Sequence, residues 1–228
     1  MNALEEKRYI VAFLDLLGAS KIMESDSSQD VLSKINEVFE STRRTAYEKY
    51  KEYFNDIRII AFSDNIAFAR KIPEEYEPVT THRCMKVMEF ISFISIFWGT
   101  ALEKDLLFRG GVTIGKLYVD EKMIWGKALV NAHGLEEKVA IFPRVVISKG
   151  LYNWMRSVGM KWWGIKQDFD GIWFIDIFSN ISGEKSKMKT LVEQGKKGNA
   201  ENESVLQKYE WLERYVQDAE TAVQNEER

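Results

Sequence analysis

Two aspartates in this chain stand at positions where a short acidic side chain can do more than close a turn. Asp15 ends a continuous apolar run over residues 9–14, and Asp64 lies in a short link over 62–65 between two further apolar runs. A pair of carboxylates with neither a thiolate nor an imidazole beside it suits hard divalent cations such as Mg²⁺ or Mn²⁺, with substrate phosphates completing the shell. Asp is also common in turns for purely structural reasons. The joint placement of the two residues therefore decides between a metal site and two ordinary turns.

The apolar pattern predicts the elements that position these aspartates. Residues 9–14 are typical of a buried central strand, and residues 57–61 and 66–69 predict two strands joined by a tight hairpin turn. Helical spacing covers 29–53 and 80–102, and a strand is predicted over 106–119. The order strand, helix, strand, strand, helix, strand is that of the ferredoxin-like split βαβ arrangement, in which the first and third strands lie side by side. This layout brings Asp15 against the hairpin that carries Asp64.

The rest of the chain predicts additional elements within one domain. A helix over 127–139, a strand around 145–147, a short helix and a strand over 172–178 follow in order. Residues 182–202 are rich in Gly, Lys and Ser, which favours a mobile loop, and the tail carries a helical stripe of apolar residues. We therefore expect an α+β fold, a ferredoxin-like βαββαβ core with additional strands, in which helices cover one face of an antiparallel sheet. The expected division is a main domain over 1–180, a flexible loop over 181–202 and a C-terminal helical appendage over 203–228.

Composition excludes several classes of protein. The 228 residues are 45% hydrophobic, enough for one complete core, which rules out a disordered chain or a disulfide-stapled miniprotein. The formal charge of -3 argues against a general electrostatic grip on nucleic acid, and one cysteine with two histidines cannot build a structural zinc site. The apolar stretch over 90–98 is far shorter than the roughly 20 residues that a bilayer requires. We expect a soluble, cytoplasmic protein without a nucleic-acid or membrane partner.

Four motifs, in order, resemble the class III nucleotide cyclases. Residues 13–18 (FLDLLG) resemble the first-strand motif of that family, and residues 62–64 resemble its hairpin Gly-Asp, with Ser63 in place of Gly. Residues 109–115 (RGGVTIG) are similar to its R-x-G-I-x-x-G strand. Trp125-Gly126 followed by Leu135-Glu136 fits its dimerisation-arm motif. The resemblance implies a cyclase catalytic domain that works as a head-to-tail homodimer.

The resemblance also implies a reaction and the residues that serve it. Asp15 and Asp64 would hold two Mn²⁺ or Mg²⁺ ions per active site, with the Leu16 backbone carbonyl as a further ligand. The 3′-hydroxyl of a nucleoside triphosphate would attack the α-phosphorus and release pyrophosphate. Metal ions that acidify the hydroxyl and steady the leaving group make a protein base unnecessary. Independently of the resemblance, backbone N–H groups around Gly18 are candidates for a phosphate cradle near a helix start.

Two departures from the family pattern favour a pyrimidine substrate. Arg58 occupies the slot of the adenine-reading Lys of purine cyclases, and Met123 occupies the slot of its acidic partner. A Met thioether is a poor acceptor for the exocyclic amine of adenine. Arg58 instead offers a rigid fork of donors, which suits carbonyl oxygens. A base with two carbonyls, such as uracil, fits this pocket best, and we therefore favour UTP over CTP.

Further departures fall on the helix predicted over 127–139. Val130 stands where purine cyclases carry a ribose-orienting Asn, Asn131 lies one place off that slot, and Gly134 stands where they carry a transition-state Arg. The missing arginine leaves open which cation stabilises the charge that develops on the α-phosphate. The candidates are Arg109, Lys127 and Lys138.

The same departures, with residues 127–130, 142–145 and 170–171, resemble the Pycsar pyrimidine cyclases of bacterial antiphage defence. In that family the product, cyclic UMP or cyclic CMP, activates a separate effector that harms the infected cell. The leading hypothesis is a uridylate cyclase that converts UTP to 3′,5′-cyclic UMP and pyrophosphate. The alternatives are a cytidylate cyclase, a purine cyclase with an unusual pocket, and a catalytically inactive cyclase-like domain that binds a nucleotide as a sensor.

Overall fold

A computed structural model describes residues 5–19, 28–50, 56–73, 80–159, 164–178 and 185–226. In those segments the elements follow in the order β1 (Lys7–Leu16), α1 (Ser28–Tyr50), β2 (Ile57–Phe62), β3 (Asn65–Lys71), α2 (Thr80–Glu103), β4 (Phe108–Val119), β5 (Ile124–Trp125), α3 (Lys127–Lys138), β6 (Val145–Ile147), α4 (Lys149–Ser157), β7 (Ile165–Gln167), β8 (Trp173–Ile175), α5 (Lys185–Gly198) and α6 (Glu203–Glu226). The first six elements confirm the predicted order of strands and helices.

The eight strands form one sheet in which β1 is central. The strand order is β2-β3-β1-β4-β6-β8-β7, with β5 paired to β4 off this path. β1 pairs antiparallel with β3 on one side and with β4 on the other, which confirms the predicted contact between the first and third strands. β4 and β6 run parallel, so the sheet is mixed. The expected α+β class is confirmed, and β5, β6, β7 and β8 are the additional strands.

Helices cover both faces of this sheet, and the expectation of helices on one face is wrong. Ile10, Ala12 and Leu14 of β1 lie in the main hydrophobic core with the buried residues of α1 and α2. Val11 and Phe13 point the other way, into a smaller cluster that α3 closes. Side chains alternate between the two faces of a strand, so a continuous apolar run must be covered on both. The apolar sequence of β1 thus requires the second layer.

Two glycines of β4 allow α3 to lie directly on the strand. A Cβ atom placed on Gly111 would lie 2.4 Å from the Leu135 Cβ and 2.6 Å from the Ala132 carbonyl oxygen. A Cβ atom on Gly115 would lie 3.3 Å from the Ala128 Cβ. The absence of a side chain at these positions sets the depth of α3. This close approach places Glu136 next to the end of the sheet.

The apolar helix α2 belongs to the core. Within the described residues, His82–Glu103 is the one helical segment long and apolar enough to cross a membrane by length and composition. However, 72% of its most apolar window is buried inside the fold. Phe90, Phe97 and Trp98 are completely buried there. Packing against the sheet accounts for the apolar character of this helix.

The C-terminal region differs from the prediction. Residues 185–198 form α5 rather than part of a loop, and its Met188, Leu191 and Val192 are buried. These residues stand at helical spacing, but the surrounding Lys and Gly residues dominate the composition and conceal the stripe. The predicted boundary at 180–181 lies outside the described residues.

The last helix, α6, is part of the core and not an appendage. Trp211, Leu212 and Tyr215 are buried in the main hydrophobic core. The Tyr215 hydroxyl donates to Asp176 and accepts a hydrogen bond from the Ile177 N–H at 3.0 Å. The packing extends the main domain through this helix.

A buried arginine joins β6, the β7–β8 turn and α6. Arg144 is fully buried and forms ion pairs with Asp168 and Asp170. The Trp211 indole N–H donates to the Asp168 carboxylate at 2.6 Å, and the Arg144 guanidinium lies 6.0 Å from the Trp211 ring. Buried charges require such partners because an isolated charge in the core is very costly. Arg144 and Asp170, which the sequence singled out for a resemblance, therefore lie in a packing cluster.

Candidate active site

The β2–β3 hairpin brings Asp64 to the end of β1. Asp15 pairs with Asn65 in the register of β1 and β3, and the Leu16 N–H donates to the Asp64 carbonyl oxygen at 2.9 Å. The Asn65 side-chain amide donates to the Asp64 carboxylate at 2.9 Å. The negative charge of Asp64 is close enough to contribute to raising the pKa of Asp15. The structure thus brings the two aspartates together at the carboxyl end of β1.

The hairpin turn has the backbone conformation that the resemblance implies. Ser63 has a φ of 55°, in the left-handed region that favours glycine. Only Ser63 and Asp64 separate β2 from β3, so this conformation closes a two-residue turn. The replacement of Gly by Ser therefore keeps the turn and with it the position of Asp64.

Asp15 is a partly buried carboxylate with a cation beside it. Its side chain is 18% exposed, and the Arg109 Nε donates to its Oδ2 at 3.1 Å. Burial raises the pKa of Asp15, while the hydrogen bond and the charge of Arg109 oppose that change and Asp64 adds to it. The net direction is upward, so burial outweighs the bonded arginine. A second cation at this position would stabilise the charged form.

Arg109 lies between two carboxylates, and the second of them belongs to a residue that the sequence singled out for a motif but not as a site residue. Its Nη2 is 2.7 Å from the Oε1 of Glu136, a residue of α3 that is almost fully buried. Burial raises the pKa of Glu136, with the Arg109 charge opposing and the Asp15 charge adding. Glu136 shares the sheet-facing side of α3 with Ala128 and Ala132. That spacing of four residues was the available signal for a buried acid above the sheet.

Lys208 of α6 is a cation that the sequence did not single out and whose pKa responds to the charges of this site. Lys208 has a pKa that burial and the charge of Arg109 lower, while Asp15 acts to raise it. The charge of Lys208 in turn acts to lower the pKa of Asp15. Its distance along the chain from every motif concealed it, and its position relative to Trp211 and Leu212 was the only signal.

Arg58 and the segment that carries Met123 meet on the same face of the sheet as Asp15. Arg58 alternates with Ile57 and Ile59, which pack on the main core, and therefore points to the α3 side. Its guanidinium donates to the Glu121 backbone carbonyl, in the turn that leads to Met123. The structure therefore brings the two predicted base-reading positions together.

The turn from Asp120 to Met123 is fixed by its own hydrogen bonds. The Asp120 carboxylate accepts from the N–H groups of Lys122 and Met123, both at 2.8 Å. These bonds are the main cause of the lowered pKa of Asp120. The Met123 side chain remains 47% exposed.

The remaining predicted residues lie at the surface. Val130 is 68% exposed and Asn131 is also exposed, on the side of α3 away from the sheet. Gly134 faces open space, since a Cβ atom there would meet nothing within 4 Å. Gly18 is exposed with a φ of 81°, a conformation that glycine adopts readily.

The donor set at Asp15 and Asp64 fits a hard divalent cation. Both side chains offer carboxylate oxygens, and His133, the nearest imidazole to this face, contacts Phe13 and Glu136 instead. Among the described residues no group of three or more His, Cys, Asp or Glu side chains could hold a metal ion. Backbone oxygens and substrate phosphates would therefore have to complete the coordination shell of an ion held by two carboxylates. The Leu16 carbonyl, one residue after Asp15, is the backbone candidate.

Comparison with solved structures identifies the fold of this chain, whereas comparison of its sequence finds no match. No protein-family model matches the chain, and no curated protein matches it by sequence. The structure is similar to the monomeric guanylyl cyclase domain of the RhoGC fusion protein from the aquatic fungus Blastocladiella emersonii, with a TM-score of 0.50 and 12% identity over 75% of this chain and 95% of that chain. The guanylyl cyclase Cya2 matches with a TM-score of 0.50 and 13% identity over 75% of this chain and 92% of that one.

A third structure extends the match. A bacterial light-regulated adenylyl cyclase has a TM-score of 0.50 and 14% identity, over 83% of this chain and 57% of that one. At such identities the likeness shows the fold alone, and that fold is the α+β fold of class III cyclase catalytic domains.

Proposed function

We propose that this chain, which has the fold of class III nucleotide cyclase catalytic domains, is itself a nucleotide cyclase. It would convert a nucleoside triphosphate into a 3′,5′-cyclic monophosphate and pyrophosphate. The observation that carries the proposal is the placement of Asp15 and Asp64 side by side, with Leu16 N–H bonded to the Asp64 carbonyl at 2.9 Å. Two adjacent carboxylates at the end of a central strand suit the positioning of a polyphosphate through divalent cations.

In this proposal the carboxylates of Asp15 and Asp64 and the Leu16 carbonyl hold two Mn²⁺ or Mg²⁺ ions. When bound, such ions lower the pKa of the attacking 3′-hydroxyl and neutralise charge on the triphosphate. Arg109 uses its Nε for Asp15 and its Nη2 for Glu136. A guanidinium carries five N–H donors, so others remain for oxygens of the reacting phosphate. Glu136 fixes the guanidinium in place, which makes it a positioning residue for Arg109.

For the substrate we propose UTP. Arg58 donates to the backbone carbonyl of Glu121, and this preference of a guanidinium for carbonyl oxygens supports a base with carbonyl groups. Uracil offers two carbonyls, and Met123 offers no strong acceptor for an exocyclic amine. CTP is the alternative pyrimidine substrate, because cytosine keeps one of the two carbonyls.

A homodimer would complete the site. Three large apolar side chains are exposed here. They are Met123 in the turn before β5 (47% exposed), Trp125 on β5 (71%) and Val130 on α3 (68%). Burying them against a second copy would remove apolar surface from water. In a two-fold dimer every contact occurs twice, so Val130 and Asn131 of one copy would line the base and ribose pocket of the other.

The product would act as a second messenger. The resemblance of the amino-acid sequence to the Pycsar cyclases supports a role in antiphage defence, in which cyclic UMP reaches a separate effector in the cytoplasm. The two proteins would share only the cyclic nucleotide, and the cyclase would need neither nucleic acid nor a membrane.

A catalytically inactive sensor is the second candidate. Gly134 and Val130 favour it, since neither offers a polar group to the ribose or to the reacting phosphate. Such a domain would bind a nucleoside triphosphate and release no pyrophosphate.

One experiment separates these functions. The purified chain is incubated with Mn²⁺ and an equimolar mixture of ATP, GTP, CTP and UTP, and the products are identified by mass spectrometry. We expect cyclic UMP as the main product, with pyrophosphate in equal amount. Cyclic CMP would instead assign the cytidylate cyclase, and a cyclic purine would contradict the proposed base recognition. Nucleotide binding without any cyclic product would replace the enzyme with the sensor.

A further inference from the structure

Three aromatic rings lie together on the face of the sheet that α3 covers. Phe13 is buried, and its ring centroid is 6.0 Å from that of Phe62 and 4.9 Å from that of His133. Phe62 is nevertheless 48% exposed, and the His133 side chain is 53% exposed. Two half-exposed rings therefore rest on one buried ring, and we call these three residues the aromatic platform.

The aromatic platform adjoins the acidic pair along the strands. Phe13 precedes Asp15 by two residues on β1, so the two side chains share a face of the sheet. Phe62 is the last residue of β2, at the start of the tight turn that holds Asp64. Strand register thus places these rings at the same end of the sheet as the two carboxylates.

The third ring joins the aromatic platform to the charged group around Arg109. His133 lies one turn before Glu136 on α3, and its Nε2 is 3.9 Å from the Glu136 Oε2. Glu136 in turn contacts Arg109, which bonds to Asp15. The aromatic platform therefore borders the candidate active site both from the sheet and from the helix above it.

The packing of the fold uses only part of these rings. Phe13 belongs to the smaller hydrophobic cluster between the sheet and α3, together with Ala128 and Ala132. Phe62 packs on Phe13 with one side and leaves the rest of its ring to solvent. An aromatic ring is a large apolar surface with a flat face, and covering it with another flat ring removes that surface from water. The exposed parts of the rings are therefore available to a ligand.

The surroundings define this ligand as a flat ring that carries anionic groups. Nucleobases stack on aromatic side chains with little dependence on which base is present. The carboxylates of Asp15 and Asp64 suit the divalent cations that accompany a triphosphate. A nucleoside triphosphate has both parts in one molecule. Stacking uses the face of a base, whereas the proposed role of Arg58 concerns its edge, so the two contacts are compatible.

We propose that Phe62 and His133 form the surface on which the nucleobase of the substrate stacks, while Phe13 fixes both rings from below. The inference rests on the proposed function, because it assigns further substrate-binding residues to the same site. Stacking adds affinity for any nucleobase and leaves the choice among bases to Arg58 and Met123. The acidic pair serves the phosphates, and the aromatic platform serves the base.

The test compares ligands that have a base with one that has none. The 3′-deoxy analogues of UTP, CTP, ATP and GTP cannot be cyclised, and inorganic tripolyphosphate has no nucleoside. Titration calorimetry with Mg²⁺ measures their binding to the full chain, and the analogue that binds most tightly is used for the variants. A parent chain that binds none of the four analogues overturns the inference.

The informative variants remove or keep a ring at each exposed position. Phe62→Leu keeps an apolar side chain without the ring, and we expect it to weaken nucleotide binding about tenfold, a loss typical of one base–aromatic stack. We expect its affinity for tripolyphosphate to stay within about twofold of the parent chain. Phe62→Tyr keeps the ring and should bind the nucleotide within about threefold of the parent chain. His133→Ala and His133→Phe repeat this pair of changes on α3, with a loss expected only in the alanine variant.

Phe169→Leu is the matched control, because Phe169 is also an exposed ring but lies against Phe142 and Arg214. We expect this variant to bind both ligands as the parent chain does. Thermal unfolding and sedimentation check the fold and the association state of each variant. Unchanged nucleotide binding in a folded Phe62→Leu or His133→Ala variant overturns the inference. An equal loss of nucleotide and tripolyphosphate binding also overturns it, since the rings would then support the site or a subunit contact rather than the base.

The 3′-deoxy analogues separate this inference from the proposed function. Their binding does not depend on turnover, because the attacking hydroxyl is absent. Ring-dependent binding in a chain that forms no cyclic product contradicts the cyclase alone. A cyclase whose nucleotide affinity ignores Phe62 and His133 contradicts this inference alone.

Discussion

Arg109 determines how the acidic pair can be used. It bonds to Asp15 at 3.1 Å and contacts Glu136 at 2.7 Å, so one guanidinium links β1 to α3. A carboxylate offers several lone pairs, so a divalent cation that binds Asp15 does so beside Arg109 and competes with it for the negative charge. Glu136 gives the arginine a second partner, which allows it to stay beside the site when Asp15 changes ligand.

The two aspartates should be essential for turnover. Asp15→Asn and Asp64→Asn each remove one charged ligand, so we expect pyrophosphate release from UTP to fall by at least about a hundredfold. Burial already disfavours the charge of Asp15, and its loss should not unfold the protein. Pyrophosphate release and circular dichroism measure the two effects. Asp218→Asn, on a surface ion pair with Lys166, is the control that should keep full activity.

Glu136 should act through Arg109. Glu136→Gln removes the competing carboxylate, so Arg109 should hold Asp15 more tightly and Mn²⁺ binding should weaken by several-fold. The neighbouring Glu137→Gln changes the same charge on the exposed side of α3 and should leave Mn²⁺ affinity unchanged. Titration calorimetry with Mn²⁺ compares the two variants. Equal affinities would show that Glu136 has no influence on the acidic pair.

Among the elements, α3 depends most directly on the absence of side chains beneath it. Gly111 of β4, beneath the helix, has no room for a Cβ atom, whereas Gly134 of α3 itself faces open space. The same substitution should therefore have opposite effects at these two positions.

Gly111→Ala should destabilise the fold by about 1–3 kcal/mol, because the added methyl group forces α3 off the sheet. Gly134→Ala should stabilise it by roughly 0.5–1 kcal/mol, since alanine favours a helix and meets no neighbour. Denaturant unfolding of both variants gives the two free energies. A stabilising effect at Gly111 would mean that α3 does not rest on β4 as described.

For the assembled protein, the exposed apolar residues beside α3 predict self-association. Trp125→Ser removes the most exposed of these side chains and should shift the protein toward monomer, with activity per chain falling in parallel. Leu32→Ser changes an exposed apolar residue on α1, on the other layer, and should affect neither property. Analytical ultracentrifugation and a turnover assay at several protein concentrations measure both. A fully active monomer would contradict the dimeric site.

Local patterns of apolar and turn-forming residues predicted a large part of the fold. The apolar run ending at Asp15, the turn at Ser63-Asp64 and the apolar helix α2 are visible in the sequence because each depends on neighbours along the chain. They define the first six elements, which the structure confirms. The α5 stripe was concealed because only three buried residues carry it among many lysines and glycines.

The candidate site likewise contains residues that the sequence identified and residues whose role only the fold reveals. Asp15 was found at the end of a predicted strand, Asp64 in the hairpin turn beside it and Arg58 from the resemblance, and strand register then brought the aspartates together. Glu136 gains its meaning from α3, the helix that packs on the sheet and brings this carboxylate to Arg109. Contacts between residues so far apart in the chain depend on helix depth and packing, which side-chain periodicity does not encode. The sequence alone therefore identifies the acidic pair and the strands that carry it, while folding in three dimensions selects the charged partners around it.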